Sequence, residues 1–121
     1  MPTYITTAEQ LAAFCRAFPG VTEEYPFDAL TCTFKVQGKI FALSRLDDRP
    51  LSVSLKCDPA VAVALRAAHP GIVPGYHLSK RHWNTVTVDD ALPPTLLAEM
   101  IEDSWDLVVD TLPRFAQHRL R

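Results

Sequence analysis

Residues 74–85 carry most of the side chains in this chain that can bind a ligand. They include two aromatic rings, two histidines, two cations and an amide, namely Tyr76, His77, Lys80, Arg81, His82, Trp83 and Asn84. The segment lies within residues 59–88, which contain no Asp or Glu. Cations contact phosphates, aromatic rings stack on flat bases, and amides can read base edges. The pattern therefore predicts a surface that binds a phosphate-bearing ligand.

Two further lysines extend this predicted surface. Lys56 ends the polar side of an alternating strand, and Lys39 is expected on the neighbouring strand of an antiparallel sheet. Together with Lys80 and Arg81 they are candidates to neutralise phosphates, each adding to the salt dependence of binding. The alternative is an ordinary solvated face, where most surface lysines and arginines occur.

The uncharged members of the segment have structural alternatives as well. Tyr76 stands in a predicted loop and is the better candidate for stacking, whereas Trp83 at the start of a strand favours rim or core packing. Asn84 either reads a base edge or supports the loop, and support is the preferred interpretation. His77 and His82 are expected to shape the site through hydrogen bonds.

Catalysis and metal binding are not predicted. The two histidines are five residues apart, which is not a helical ligand spacing, and no nearby acid or cysteine completes a metal site. Cys15, Cys32 and Cys57 form no C-x-x-C pair and are expected to be reduced, buried thiols. We therefore expect a non-enzymatic protein with no cofactor and no catalytic residue.

The bulk composition fits one globular domain, residues 1–121. Hydrophobic residues make up 48% of the chain and charged residues 21%. No apolar run is long enough to span a bilayer and no secretory signal is visible, so we expect a cytoplasmic protein with no membrane contact. The net charge of -2 argues against a strongly basic nucleic-acid binder. The acids cluster towards the two ends of the chain, however, so the middle has a locally positive surface.

Hydrophobic spacing and capping signals predict three helices. The first begins near Thr7 and stops at Pro19, the second begins at Asp58 and runs to Ala68, and the third follows Pro93 and ends near residue 113. Residues 114–121 are expected to fray.

Strand signals alternate with these helices. Residues 31–36 and 39–43 read as a hairpin around Gln37 and Gly38, and residues 51–56 and 83–88 as further strands. Residues 72–76 are ambiguous, and a short strand is possible near residues 21–25. This order favours an α+β fold, an antiparallel sheet with helices packed on one face.

Several motifs in order along the chain resemble the MmcQ/YjbR family. They are Phe18-Pro19-Gly20 with Glu23, Pro26-Phe27, Val36-x-Gly38-Lys39-x-Phe41, Leu55-Lys56-Cys57-Asp58-Pro59, Pro74-Gly75-Tyr76-His77, Lys80-x-His82-Trp83-Asn84, Ser104-x-Asp106-Leu107-Val108 and Leu112-Pro113. They span about four-fifths of the chain. Trp105 stands where members often have tyrosine.

The resemblance implies a compact α+β fold similar to CyaY-like and secretion-chaperone-like arrangements. It also implies DNA binding through a "double wing" motif, with duplex DNA as the expected partner. The alternative is a module that binds a protein or peptide, which a secretion-chaperone-like fold and the acidic last helix would suit.

Overall fold

The computed structural model of the chain describes residues 4–75 and 78–121. Four helices and six strands are formed in the order α1 (Ala8–Arg16), β1 (Val21–Glu24), β2 (Thr31–Val36), β3 (Lys39–Arg45), β4 (Ser52–Lys56), α2 (Pro59–Ala68), β5 (Ile72–Pro74), β6 (Trp83–Thr87), α3 (Leu96–Asp110) and α4 (Arg114–Leu120). None of these helices has the length and hydrophobicity needed to cross a membrane.

The six strands form one antiparallel sheet in the order β1-β2-β3-β4-β6-β5. Helix α3 packs across the middle of the sheet on β2, β3 and β4, while α1 contacts β1 and α2 contacts β5 near the two edges. The helices cover one face, and the predicted α+β architecture is confirmed.

Two of the three predicted helix starts carry the expected caps. The Thr7 hydroxyl accepts a hydrogen bond from the Gln10 main-chain N–H at 3.1 Å, and the Gln10 side chain accepts one from the Thr7 N–H, which completes a capping box. Asp58 caps α2 by accepting from the N–H groups of Ala60 and Val61, with Pro59 at the first helical position.

The β2–β3 hairpin turns at Gln37 and Gly38, whose φ angles are +51° and +77°. Positive φ at both central residues is the geometry that tight two-residue hairpins favour. The register then shifts along β3, because Phe34 pairs with Ala42 while Lys35 pairs with Ile40. Phe41 is thus the extra residue of a β-bulge.

Each strand divides its side chains between the two faces of the sheet. In β4 the apolar residues Val53 and Leu55 are buried towards the helices, while Ser52, Ser54 and Lys56 point to the opposite face. This second face, which we call the open face, carries no helix in the part of the chain that the structure describes. The buried side forms one hydrophobic core.

The C-terminal segment differs from the prediction. Residues 114–121 were expected to fray, but Arg114–Leu120 form helix α4 with Ala116 and Leu120 buried. Helix α3 ends at Asp110, so Pro113 lies just past its end as expected, and it occupies the N-cap position of α4. Burial of two apolar side chains against the core stabilises this short helix, which its local sequence alone would not.

Trp105 has a structural role in the core. It is 6% exposed, and its indole Nε1 donates to the main-chain oxygen of Pro19 at 3.3 Å. Its ring also packs on Phe18, with 5.6 Å between the ring centroids.

Candidate nucleic-acid interface

The C-terminal end of β4 and the N-terminal end of β6 meet at one end of the sheet. Lys56 is the register partner of Trp83, and the Cys57 N–H donates to the His82 main-chain oxygen at 2.7 Å. Antiparallel pairing therefore brings Lys56 next to residues 80–82, although about 25 residues separate them in the chain.

Main-chain contacts hold the turn that precedes β6. The Lys80 ammonium donates to the Gly75 carbonyl oxygen at 3.4 Å, and the Arg66 guanidinium, reaching over from α2, donates to the Lys80 carbonyl oxygen at 3.2 Å. Within the turn, the His82 N–H donates to the Ser79 carbonyl oxygen at 3.2 Å. Two cations are thus anchored to carbonyl groups, which do not cancel their charge.

We call Lys56, Arg66, Lys80 and Arg81 the basic end of the sheet. Within residues 4–75 and 78–121, none of the four forms an ion pair with a carboxylate, whereas Arg16, Lys35, Arg45 and Arg121 all do. Lys80 and Arg81 are exposed and Lys56 and Arg66 are partly exposed. The positive potential of this end is therefore available to an anionic ligand.

The Cys57 thiol lies beside the basic end, close to the carboxylates of Asp58 and Asp103. Burial raises the pKa of the Cys57 thiol, the negative charges of Asp58 and Asp103 raise it further, and Arg66 acts in the opposite direction. A thiol with a raised pKa stays protonated at neutral pH and is a poor nucleophile. We therefore expect Cys57 to be a buried, protonated thiol at neutral pH.

The structure separates Lys39 from this surface, contrary to expectation. Lys39 pairs with Val36, whose side chain is in the core, so its own side chain projects on the helix side of the sheet. Its ammonium donates to the Thr111 hydroxyl at 3.0 Å, beside the C-terminal end of α3. Because Phe41 is an extra residue in β3, the alternation of side chains between the two faces of the sheet changes phase at this position. The sequence pattern did not reveal this change, and Lys39 therefore lies on the face opposite to the one expected.

Asn84 is also withdrawn from the predicted interface. Its side chain is 0% exposed and faces the helices, where Nδ2 lies 3.4 Å from the Ala62 carbonyl oxygen of α2. Its Oδ1 has no hydrogen-bond partner among the described residues. The support role that was preferred for Asn84 fits this position, and reading a base edge does not.

Of the remaining predicted residues, Trp83 and His82 lie within the described ranges. Trp83 is half-buried on the same face as Lys56, which matches rim packing, and His82 is exposed in the turn. The side chain of His82 makes no hydrogen bond to any residue that the structure describes, so the fixing role expected for it falls to its main chain. Tyr76 and His77 lie outside the described residues.

Sequence reasoning missed Arg66 as a member of the site. The signal was present, because Arg66 is a cation within the acid-free residues 59–88. Its contribution depends on α2 packing beside β5 and reaching the turn, a tertiary relationship with no local sequence signature. No group of three His, Cys, Asp or Glu side chains suitable for a metal ion occurs in the described ranges.

Comparisons of the sequence with known proteins identify a matching family model and several related proteins. The family model YjbR matches residues 16–107. The uncharacterized protein YbdF of Escherichia coli O157:H7 is 40% identical over 116 residues, covering 95% of this chain and 92% of that protein. The uncharacterized protein YjbR of Escherichia coli K12 is 34% identical over 108 residues, covering 88% and 91%.

Solved structures agree with this relationship. The crystal structure of Deinococcus radiodurans protein DR2400, assigned to the domain DUF419, superimposes with a TM-score of 0.93 at 38% identity, covering 99% of this chain and 91% of that one. A Pseudomonas syringae protein at 24% identity has the same fold, with a TM-score of 0.71 and coverage of 84% and 97%. The chain belongs to the YjbR family.

Proposed function

We propose that this protein is a cytoplasmic, non-enzymatic binding protein whose ligand is nucleic acid, with duplex DNA preferred. The observation that carries the proposal is the basic end, where four cations converge with no carboxylate ion pair among the described residues. Unpaired cations are the groups that displace condensed counterions from a phosphate backbone.

The contacts in the basic end favour backbone recognition over base reading. Lys80 and Arg66 are tied to main-chain carbonyls, which fixes their position without neutralising them. The buried position of Asn84 removes the amide that would read a base edge. We therefore expect modest, largely sequence-independent binding to phosphates.

Salt dependence gives a quantitative expectation. Each phosphate neutralised on duplex DNA adds about -0.9 to the slope of log affinity against log salt concentration, so four contacts predict a slope of about -3.6. The net charge of -2 and the acids Asp58 and Asp103 near the site reduce the long-range attraction. Binding should then be detectable mainly at low salt.

The test is fluorescence anisotropy with labelled duplex DNA, single-stranded DNA and RNA of equal length at several salt concentrations. A dissociation constant below about 10 μM for duplex DNA at low salt, with a slope between about -3 and -4, is the expected result. Tighter binding to RNA or single strands would change the ligand but keep the site. Absence of binding to all three at low salt would overturn the proposal.

A second candidate function is binding of a protein or peptide. It is favoured by a group of exposed apolar side chains in the β1–β2 connection, where Tyr25, Phe27 and Leu30 are each more than 40% exposed. Clustered exposed apolar surface is typical of interaction sites. Recovery of one stoichiometric protein from nuclease-treated lysate, lost on Phe27→Ser, would favour this function over nucleic-acid binding.

A further inference from the structure

The open face of the sheet contains a groove that is separate from the basic end. It has a volume of about 820 Å³, and its lining comes from β2 to β6 and three connecting segments. Ligand pockets commonly enclose about 300–1,000 Å³. The groove is thus large enough for a small organic molecule, although it plays no part in the proposed binding of nucleic acid.

The wall of the groove is largely aliphatic. Ile40 and Leu43 of β3, Val73 of β5 and Leu78 from the turn before β6 line it, with Phe27 from the β1–β2 connection. These side chains would otherwise face solvent on a sheet face that no described helix covers. An elongated apolar molecule lying along the strands would remove them from water, which is favourable in proportion to the area covered.

The floor of the groove carries hydroxyl groups, most of which already have partners. Ser54 and Thr85 share a hydrogen bond of 2.8 Å across the β4–β6 pair, and Ser52 donates to the Asp48 carboxylate at 2.8 Å. Thr87, the register partner of Ser52, makes no side-chain hydrogen bond within the described part of the chain. The floor therefore offers few unpaired polar groups, concentrated where β4 begins and β6 ends.

Charged groups line that same end of the groove. Arg45 is neutralised by Asp47 at 3.0 Å and lies 3.7 Å from Asp28. Arg49 differs, because its guanidinium donates only to the carbonyl oxygens of Leu46 at 2.9 Å and Asp48 at 2.6 Å and has no carboxylate ion pair among the described residues.

We propose that this groove binds a small organic anion with an elongated apolar body, its carboxylate at Arg49 and Thr87 and its aliphatic part along Leu43 and Val73. A guanidinium held by two carbonyls is pre-positioned to form a charge-assisted hydrogen bond with a carboxylate. The Asp48 carboxylate, engaged by Ser52, limits the anion to the Arg49 side.

The test compares octanoate with octan-1-ol, which have equal chain length but differ in head-group charge. Both are titrated into the ¹⁵N-labelled full chain while amide chemical shifts are followed. We expect shifts clustered at residues 43, 52–54 and 85–87, with octanoate bound at least about threefold more tightly than octanol because it alone pairs with the exposed guanidinium.

Two variants and one control separate the contributions. Arg49→Gln should remove the preference for octanoate while retaining octanol binding, and Thr87→Phe should weaken both ligands by filling the groove. Lys80→Gln/Arg81→Gln alters only the basic end and should leave both affinities unchanged, so the groove and the nucleic-acid site can fail independently. Octanol binding as tightly as octanoate, shifts confined to other surfaces, or no shifts with either ligand would overturn the proposal.

Discussion

The hydroxyl of Ser104 on α3 donates to the main-chain oxygen of Phe41 at 2.6 Å, at the bulge of β3. The Ser104 hydroxyl oxygen itself accepts a hydrogen bond from the Lys56 N–H of β4 at 2.9 Å. Regular pairing of β3 with β4 is seen at Ala42–Leu55 and Leu43–Ser54, and one step further the Ser104 hydroxyl bridges the two strands. One buried side chain thus joins helix, bulge and the strand that leads to the basic end.

Replacing Ser104 with alanine should destabilise the fold by about 2–3 kcal/mol, because a buried N–H and a buried C=O lose their partner together. Urea unfolding followed by circular dichroism measures this change. Glu102→Ala on the exposed side of α3 is the control and should shift stability by less than about 0.5 kcal/mol. Equal stability of the two variants would show that water replaces the hydroxyl without cost.

Neutralising the two exposed cations of the turn should weaken nucleic-acid binding in a salt-dependent manner. For Lys80→Gln/Arg81→Gln, the slope of log affinity for duplex DNA against log salt should become shallower by about 1.8, since two phosphate contacts are lost. Anisotropy titrations at four salt concentrations give the slope. The matched control is Arg114→Gln/Arg119→Gln, which removes the same charge from exposed positions on α4.

An unchanged slope for the turn variant would remove Lys80 and Arg81 from the interface. Equal losses for both double variants would indicate that net charge matters and that the basic end does not. The two results are distinguishable because α4 lies near Gly20 at the β1 side of the sheet, whereas the turn joins β5 to β6 at the other edge.

Lys39→Gln should leave the affinity for duplex DNA unchanged within twofold. Its ammonium is on the helix side, bonded to the Thr111 hydroxyl near the C-terminal end of α3, and so lies away from the basic end. Stability should fall by less than about 0.5 kcal/mol, as for most exposed polar contacts. A loss of binding as large as that of a single Lys80→Gln variant would place the interface elsewhere than at the basic end.

The three cysteine thiols should resist modification in the native protein. Burial, followed by the neighbouring Cys32 thiol and Glu23, raises the pKa of Cys15 to about 12, and burial is also the main cause of the raised pKa values of Cys32 and Cys57. Little thiolate then exists at pH 8 to react. Ellman's reagent should react slowly before, and with three equivalents after, addition of guanidinium chloride. Rapid reaction of one native thiol would contradict this.

Stability should depend on acid pH through Glu23. The Tyr25 hydroxyl donates to this carboxylate at 2.8 Å and Arg16 pairs with it at 2.5 Å, and both hold the pKa of Glu23 below its usual range against an opposing effect of burial. A lowered folded-state pKa stabilises the protein above the unfolded-state value, near 4.3, and the contribution disappears as pH falls through the folded-state value.

Glu23→Gln should therefore lower the free energy of unfolding by about 1 kcal/mol at pH 7, and the difference from the native chain should shrink below pH 4. Urea unfolding at pH 7, 5 and 3 measures it. Glu9→Gln, an exposed acid of α1 with no ion pair among the described residues, is the control. A difference that grows towards acid pH would have the wrong sign for a lowered pKa.

The parts of the fold that were predicted are those with short-range causes. The capping box at Thr7, the Asp58–Pro59 helix start and the turn at Gln37–Gly38 each depend on a few adjacent residues, and each formed as expected. Helix α4 was missed because its stability comes from burying Leu120 against distant parts of the chain.

The candidate site was predicted to a similar extent and for similar reasons. Lys56, Lys80 and Arg81 come together because β4 pairs with β6 in antiparallel orientation, a pairing that the alternation within each strand allows but does not specify. Lys39 was misplaced because the single extra residue at Phe41 reverses the facing of the strand. The groove on the open face could not be foreseen, since its lining is gathered from segments as far apart as Phe27 and Thr87.

Because the helices pack on one face of the sheet only, alternate residues of the same strand have different roles: one set packs in the core and the other faces the groove. In β4, Val53 and Leu55 contribute to the core, while Ser52 and Ser54 face the groove. Relatives that differ at the serines can acquire a different ligand chemistry without repacking the interior, because neighbouring residues belong to different faces. The ligand preference of a family member should thus depend on every second residue of β4 and β6, and its stability should depend on the residues between them.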